Sequence, residues 1–187
     1  MTAQVRLPDA AATRAWGRAL ASLLRAGDLV VLTGDLGAGK TTLTQGIGDG
    51  LDVRGQVASP TFVIAREHPP LPRADGTRGP ALVHVDAYRL GSLDEVEALD
   101  LESALDEAVT VVEWGAGWVE GLTDDRLELR LERPHGGVGD DVEDAAAGER
   151  VLTARGVGER WQGVALPDPT DAVPVATPAE NHEEAGT

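Results

Sequence analysis

The residues best suited to chemistry form a glycine-rich segment that ends in a lysine and a threonine. Residues Gly34–Thr41 read GDLGAGKT and match the pattern G-x-x-x-x-G-K-[ST] in full. In this pattern backbone N–H groups converge on phosphate oxygens, the lysine reaches the β- and γ-phosphates, and the hydroxyl binds Mg²⁺. A chance match in this glycine-rich chain has a probability on the order of one in a thousand. The segment therefore predicts a nucleotide-phosphate site.

Lys40 is the only lysine in the chain, and the other basic residues among the 16 are arginines. A composition that avoids lysine elsewhere but keeps one here indicates that the position requires an ammonium group rather than a guanidinium group.

Two acidic residues that follow apolar runs could complete this site. Asp86 follows ALVHV, and Glu113 follows TVV. Parallel strands deliver the residues at their carboxyl ends to the crevice beside the glycine-rich loop, where carboxylates can hold hydrated Mg²⁺ or orient a water molecule. For Asp86 the loop favours this function over a residue that merely starts the next turn. Glu113, considered alone, is more simply a surface residue at a strand end.

Three further features each admit two interpretations. The segment 59–62 (SPTF) lies where many nucleotide-hydrolysing proteins sense the γ-phosphate, but an ordinary Ser-Pro turn fits it equally well. His84 is interpreted as a strand residue rather than a catalyst. Trp114 and Trp118 are four residues apart, and core packing is the default interpretation for both.

The elements that must position these residues alternate along the chain. We expect strands near 4–7, 28–33, 81–85 and 110–112, helices near 9–25, 40–48 and 93–105, and a hairpin of 126–133 with 150–154. Asp9 is the expected N-cap of the first helix. This order predicts an α/β fold: a three-layer P-loop NTPase-type sheet, mostly parallel, with a C-terminal antiparallel hairpin.

The chain is expected to form one P-loop domain over residues 1–163. Residues 164–187 form a Pro/Ala-rich, acidic tail without apolar periodicity, which is predicted to be disordered. The segment 134–148, rich in Gly and Asp, is predicted to be a flexible hairpin loop.

Composition excludes several classes of protein. The 32 acidic and 16 basic residues give a net charge of −16, which argues against direct nucleic-acid binding but not against acting on RNA through a partner. The absence of cysteine excludes disulfides and thiol catalysis. No apolar run approaches a membrane span and no signal segment is visible, so we expect a soluble, cytoplasmic protein. The only asparagine is Asn181, so the N-K-x-D motif of a standard GTPase is absent.

Taken together, GDLGAGKTTLTQG (34–46), SPTF (59–62), HVDAYRL (84–90) and VEW (112–114) resemble the TsaE family, also called YjeE. These are small bacterial P-loop ATPases of tRNA threonylcarbamoyladenosine biosynthesis, and the resemblance covers about Val5 to Ala154. It implies ATP and Mg²⁺ as ligands, and roles in metal binding and hydrolysis for Thr41, Thr42, Asp86 and Glu113. It also suggests Thr13 as a residue near the nucleotide base. With the loop, the implied nucleotide-binding set is Thr13, Asp35, Leu36, Gly37, Ala38, Gly39, Lys40, Thr41 and Thr42.

The resemblance further implies an ATPase that does not itself modify RNA. It would bind the TsaD–TsaB threonylcarbamoyl-transferase complex and reset it by hydrolysing ATP, meeting tRNA only indirectly. The chain departs from the family pattern at Asp100, where such proteins commonly have glycine, and in the 134–148 loop and the tail.

Two other functions stay open. A small-molecule P-loop kinase would need arginines over its acceptor site, for which Arg155 and Arg160 are available. A nucleotide-dependent adaptor with negligible hydrolysis would need only the binding site.

Overall fold

A computed structural model describes residues 2–58, 65–89, 95, 99–134 and 148–168 of the chain. Its strands are β1 (Thr2–Leu7), β2 (Leu29–Thr33), β3 (Ala65–His68), β4 (Ala81–Asp86), β5 (Ala108–Glu113), β6 (Arg126–Glu132) and β7 (Arg150–Val157). Its α-helices are α1 (Ala10–Ala21), α2 (Lys40–Leu51) and α3 (Leu101–Leu105).

The strands of the described chain form one mixed sheet in the order β1-β7-β6-β2-β5-β4-β3. The four central strands β6, β2, β5 and β4 are parallel to one another, and β3 is antiparallel to β4 at one side. At the other side β7 is antiparallel to β6, and β1 is antiparallel to β7. Strands β2 and β5 are nearly continuous apolar runs, as expected for central strands that are covered on both faces. The predicted α/β fold, its parallel centre and its C-terminal hairpin are confirmed.

Two apolar cores lie on opposite faces of the sheet, which confirms the three layers. Helices α1 and α2 cover one face, where Trp16 and Ile47 pack with Val30 and Val111. Helix α3 covers the other face, where Leu101 packs with Val31 and other strand residues. Successive strand residues point to opposite faces, so each central strand contributes to both cores.

Helix α1 begins as expected and ends earlier than expected. The Asp9 carboxylate accepts a hydrogen bond from Ala12 N at 2.7 Å, which makes Asp9 the predicted N-cap. At the other end the buried carboxylate of Asp28 accepts a hydrogen bond from Arg25 N at 2.9 Å. The Asp28 side chain thus replaces a helical carbonyl, and α1 stops at Ala21 instead of reaching residue 25.

Part of the segment assigned to the tail packs against the domain. Val164 and Leu166 contact the α1 core, and the Trp16 indole donates to the carbonyl oxygen of Pro167 at 3.1 Å. The packed domain therefore extends past residue 163, since Val164, Leu166 and Pro167 lie against the core that contains Trp16. The predictions for 169–187, for SPTF at 59–62 and for most of the 134–148 loop fall outside the described residues, as do positions 93, 94 and 96–98 of the predicted helix near 93–105. A turn at 99–100 interrupts that helix, so its described C-terminal part is only α3 (Leu101–Leu105).

Asp100 has φ +49°, a left-handed conformation that favours glycine, so this departure from the family pattern lies at a strained turn. None of the described helices has the length and apolar character that a membrane crossing requires.

Candidate active site

The glycine-rich loop connects the carboxyl end of β2 to the first turn of α2. Gly34, Gly37 and Gly39 have φ values of +134°, +77° and +108°, which other residues rarely adopt. At Gly34 a Cβ would also lie 2.1 Å from the carbonyl oxygen of Leu131. Gly39 is the N-cap of α2 and offers no side chain to its first N–H groups. The loop therefore presents a helix N-terminus open to an anion.

The predicted phosphate-binding residues occupy this loop and the start of α2. Leu36 is 88% exposed, whereas Ala38 is buried, and a nucleotide contact by either residue stays a prediction. Thr42 follows Thr41 in the first turn of α2 and is half-buried.

The Lys40 amine lies inside the loop rather than in solvent. Its Nζ donates to the carbonyl oxygens of Gly34 and Asp35 at 2.8 and 2.9 Å, and lies 3.9 Å from the centre of the Trp114 ring. Burial lowers the pKa of Lys40, and the neighbouring carboxylates, Glu113 foremost, act in the opposite direction. The two carbonyl oxygens and the Trp114 ring thus hold the Lys40 amine within the loop.

The two strand-end carboxylates meet at the edge of the sheet where the loop begins. In the strand registers Glu113 is opposite Leu32 of β2 on one side and Asp86 of β4 on the other. Glu113 is only 3% exposed, so it is not the surface residue that its position alone favoured. Thr41 Oγ1 donates to Glu113 Oε1 at 3.0 Å. The structure therefore places the loop threonine directly against the β5 carboxylate.

These oxygen donors suit Mg²⁺. A hydroxyl and two carboxylates are hard ligands, and Mg²⁺ usually takes one or two carboxylates with substrate phosphates and water. Among the residues that the structure describes, no three His, Cys, Asp or Glu side chains could hold a metal ion by themselves. The donor set of Thr41, Asp86 and Glu113 fits an ion that binds together with a nucleotide.

Two aromatic side chains beside the site were assigned other roles in the sequence interpretation. His84 is a strand residue, as expected, but its buried Nε2 also lies 2.9 Å from Glu113 Oε1. Trp114 packs over Lys40 and lies 5.2 Å from the Tyr88 ring, and its φ of +61° is unusual for a bulky residue. The sequence feature that could have marked both residues as part of the site is their position next to Asp86 and Glu113 in the chain.

A buried arginine that the sequence did not indicate as a site residue also lies beside the loop. Arg150 is 1% exposed, and its Nε lies 3.7 Å from the position that a Cβ of Gly39 would occupy. It donates to the carbonyl oxygen of Gly148, and burial, with the nearby charge of Arg133, lowers the pKa of Arg150. No sequence motif marks this residue, because it lies on β7.

Thr13 lies beside the same glycine but turns its methyl group toward it. The Thr13 hydroxyl donates to the carbonyl oxygen of Asp9 at 2.9 Å, and the side chain is fully buried. Its methyl carbon lies 3.8 Å from the same Gly39 Cβ position. A nucleotide contact by Thr13 stays a prediction.

The two arginines considered for the acceptor site of a kinase have other partners. Arg160 forms two hydrogen bonds of 2.9 Å with the buried carboxylate of Asp28 and a third with the carbonyl oxygen of Leu23. Arg155 lies 3.3 Å from Glu128 on the neighbouring strand. Arg160 therefore stabilises the end of α1.

The chain is similar to known proteins over most of its length. A family model described as "Threonylcarbamoyl adenosine biosynthesis protein TsaE" matches residues 7–138. A Streptomyces coelicolor protein named "tRNA threonylcarbamoyladenosine biosynthesis protein TsaE" is 60% identical over 149 residues, covering 79% of this chain and 93% of that protein. A Bacillus subtilis protein of the same name is 37% identical, covering 80% of this chain and 83% of the relative.

The fold is also similar to a solved structure, the crystal structure of Bacillus subtilis YdiB. The TM-score is 0.61 at 32% sequence identity, and the match covers 86% of this chain and 89% of that chain.

Proposed function

The chain belongs to the TsaE family of tRNA threonylcarbamoyladenosine biosynthesis proteins, and we propose that it is the Mg²⁺-dependent ATPase of that system. In this proposal it acts on the TsaD–TsaB transferase complex in the cytoplasm, where it meets tRNA only through that complex. The Thr41–Glu113 contact carries the proposal, because it joins the phosphate loop to the buried β5 carboxylate to which we assign hydrolysis.

Each residue of the site has a proposed task. The loop N–H groups and Lys40 would bind the phosphates, and Thr41, Asp86 and Glu113 would hold Mg²⁺, which neutralises phosphate charge when bound. Glu113 would also orient a water molecule and accept its proton, because its carboxylate lies at the same strand edge as Asp86. Removal of Glu113 from bulk water strengthens both interactions.

The charge of the molecule supports a protein partner rather than direct RNA contact. A net charge of −16 repels phosphate backbones, so tRNA recognition falls to the transferase complex.

An ATP turnover assay tests the proposal. Phosphate release is measured for the protein alone, for the TsaD–TsaB complex alone and for the mixture, with and without Mg²⁺, and with Lys40→Ala as the inactive control. We expect Mg²⁺-dependent release that rises in the mixture and is lost with Lys40→Ala. Transfer of phosphate to a metabolite would indicate a kinase, and tight nucleotide binding without release would indicate an adaptor.

A further inference from the structure

We infer that His84 is a positioning residue, whose imidazole holds the Glu113 carboxylate in the orientation needed for hydrolysis. The inference rests on the proposed function, because the orientation of Glu113 matters to turnover only if Glu113 takes part in it. The contact is the 2.9 Å approach of His84 Nε2 to Glu113 Oε1.

The sheet register brings these side chains together from different strands. Asp86 is the direct partner of Glu113, and His84 precedes Asp86 by two positions on the same face of β4. His84 and Glu113 are therefore diagonal neighbours on adjacent strands, a separation that long side chains can bridge. Both lie on the face that α2 covers, as do Leu82 and Val111.

His84 and Thr41 approach the same carboxylate oxygen from different elements. Thr41 Oγ1 lies 3.0 Å from Oε1 and His84 Nε2 lies 2.9 Å from it. The Thr41 hydroxyl is also a proposed Mg²⁺ ligand, so it cannot serve Glu113 alone. His84 is fully buried behind the site and has no such competing task. The imidazole is thus the contact that can hold Glu113 throughout a cycle.

The surroundings of the ring determine which nitrogen carries the hydrogen. Among the described residues His84 Nδ1 is buried and has no hydrogen-bond partner. A hydrogen on Nδ1 would leave a buried donor unpaired. It would also leave Nε2 unprotonated, so that two hydrogen-bond acceptors, Nε2 and the carboxylate oxygen, would face each other. The hydrogen therefore lies on Nε2 and is donated to Glu113. Apolar neighbours such as Leu82 and Val111 occupy the same layer, so packing alone does not require an imidazole here.

The chain contains a matched control for a purely structural role. His68 on β3 is also buried and also has a ring nitrogen without a described partner. It interacts with the backbone of Arg54, and it is the diagonal neighbour of His84 across the β3–β4 pair. Replacing His68 with leucine therefore removes a neighbouring buried imidazole while the His84–Glu113 contact is kept.

The kinetic experiment compares His84→Leu, His84→Gln and His68→Leu in the partner-stimulated ATPase assay, with melting temperatures measured alongside. For His84→Leu we expect kcat to fall at least about tenfold while KM stays within about threefold. The glutamine amide can replace the Nε2 donor, so we expect His84→Gln to recover most of kcat. His68→Leu should keep the wild-type kcat. Equal losses in both leucine variants, no recovery with glutamine, or an effect confined to KM would overturn the inference.

A spectroscopic measurement on the wild-type protein keeps the inference testable without activity. In protein labelled with ¹⁵N-histidine, the His84 signal is assigned by its loss in His84→Gln. We expect the tautomer with hydrogen on Nε2, and a shift of that signal in Glu113→Gln. A hydrogen on Nδ1, or no response to Glu113→Gln, would refute the pairing. If the wild-type protein fails to hydrolyse ATP, the proposed function fails, whereas this measurement still decides the pairing.

Discussion

At the scale of single residues, the site depends on charged groups that are almost withdrawn from water. Lys40 is 5% exposed and Glu113 is 3% exposed, and both have polar partners. Lys40 donates to a carbonyl oxygen of the loop, and Glu113 contacts Thr41 of α2 and His84 of β4. Burying a charged group costs free energy unless the group is paired, so buried charged groups beside the open N-terminus of α2 indicate a functional site. Substitutions here should therefore affect ligand binding and turnover separately from stability.

Lys40→Ala is expected to abolish productive ATP binding. The only lysine side chain in the chain is removed from the loop, and no second lysine can replace it. Lys40→Arg should also bind ATP poorly, because the amine fits between the Gly34 and Asp35 carbonyl oxygens and the Trp114 ring. Titration with a fluorescent ATP analogue measures the affinity, and a melting curve checks the fold. Near-wild-type affinity in Lys40→Ala would contradict the assignment of the loop.

Glu113→Gln is expected to separate binding from turnover. The loop and Lys40 should still bind Mg²⁺–ATP, but the neutral amide is a poorer acceptor for the attacking water. We expect kcat to fall on the order of 100-fold with a smaller change in affinity. Asp86→Asn is the comparison, and it should weaken Mg²⁺–ATP binding first. Unchanged turnover in Glu113→Gln would exclude a role in hydrolysis.

At the scale of elements, α1 and α2 pack closely because glycines lie where their backbones meet. A Cβ on Gly46 would lie 2.0 Å from the carbonyl oxygen of Arg14, and one on Gly17 would lie 2.5 Å from that of Leu43. The phosphate loop leads directly into α2, so this contact also determines where the loop lies.

Gly46→Ala is expected to destabilise the protein despite the better helix propensity of alanine. The clash is with backbone at 2.0 Å, so α1 must move, and we expect a cost in the upper part of the range of about 1–3 kcal/mol, above the propensity gain of about 1 kcal/mol. Thermal unfolding measures the change. Gly121→Ala is the control, since a Cβ there meets nothing within 4 Å and φ is not in the left-handed range. Equal melting temperatures for both variants would show that α1 and α2 adjust freely.

An ion pair between the same helices should make stability depend on pH. Asp49 accepts hydrogen bonds from Arg14 at 2.6 and 3.0 Å and from Arg18 at 3.1 Å. Burial by itself raises the pKa of Asp49, but the bonds from Arg14 and Arg18 outweigh burial, so the pKa lies below its usual value. A lowered pKa in the folded state stabilises the protein above the unfolded-state pKa, and this stability is lost as pH falls through the folded-state pKa.

Asp49→Asn should therefore cost up to about 1 kcal/mol at neutral pH, because the pair is partly solvent-exposed. The cost should shrink as pH falls below about 4, the usual pKa of aspartate. Urea unfolding at several pH values measures it. A difference that does not vary with pH would show that packing, not charge, holds the helices together here.

At the scale of the whole molecule, the C-terminal segment links distant parts of the fold. Arg160 pairs with Asp28 at the start of β2, and Pro167 accepts the hydrogen bond of Trp16 in α1. Val164 and Leu166 add apolar contacts with the same core. The segment 158–168 therefore closes the α1 side of the domain.

Truncation is expected to distinguish this segment from the residues that follow. A chain ending at residue 168 should melt at the wild-type temperature, since it keeps Leu166 and Pro167. A chain ending at residue 163 loses both and should melt at least about 4 °C lower, given that 1 kcal/mol corresponds to roughly 2–4 °C in a domain of this size. Calorimetry on both variants tests this. Equal melting temperatures would show that residues 164–168 contribute nothing to stability.

The sequence by itself determined the local parts of this protein. The glycines predict the loop conformation wherever the loop lies, and the apolar runs within 28–33 and 110–112 predict buried strands, which the structure has as β2 (Leu29–Thr33) and β5 (Ala108–Glu113). Asp9 caps α1 through a residue three positions away. These features depend on neighbours in the chain, so composition and spacing are sufficient to predict them.

Only the tertiary structure decided which side chains meet. Thr41 and Glu113 are 72 residues apart and His84 and Glu113 are 29 apart, and both contacts exist because β5 lies between β2 and β4. Strand order in a sheet does not follow chain order, so position and spacing left Glu113 as a strand-end residue, to which only the family resemblance gave a role, and left His84 as an ordinary strand residue. The same applies to Trp16 and Pro167, 151 residues apart. The physical reason is that long-range pairing depends on how the whole sheet assembles, which no local pattern encodes.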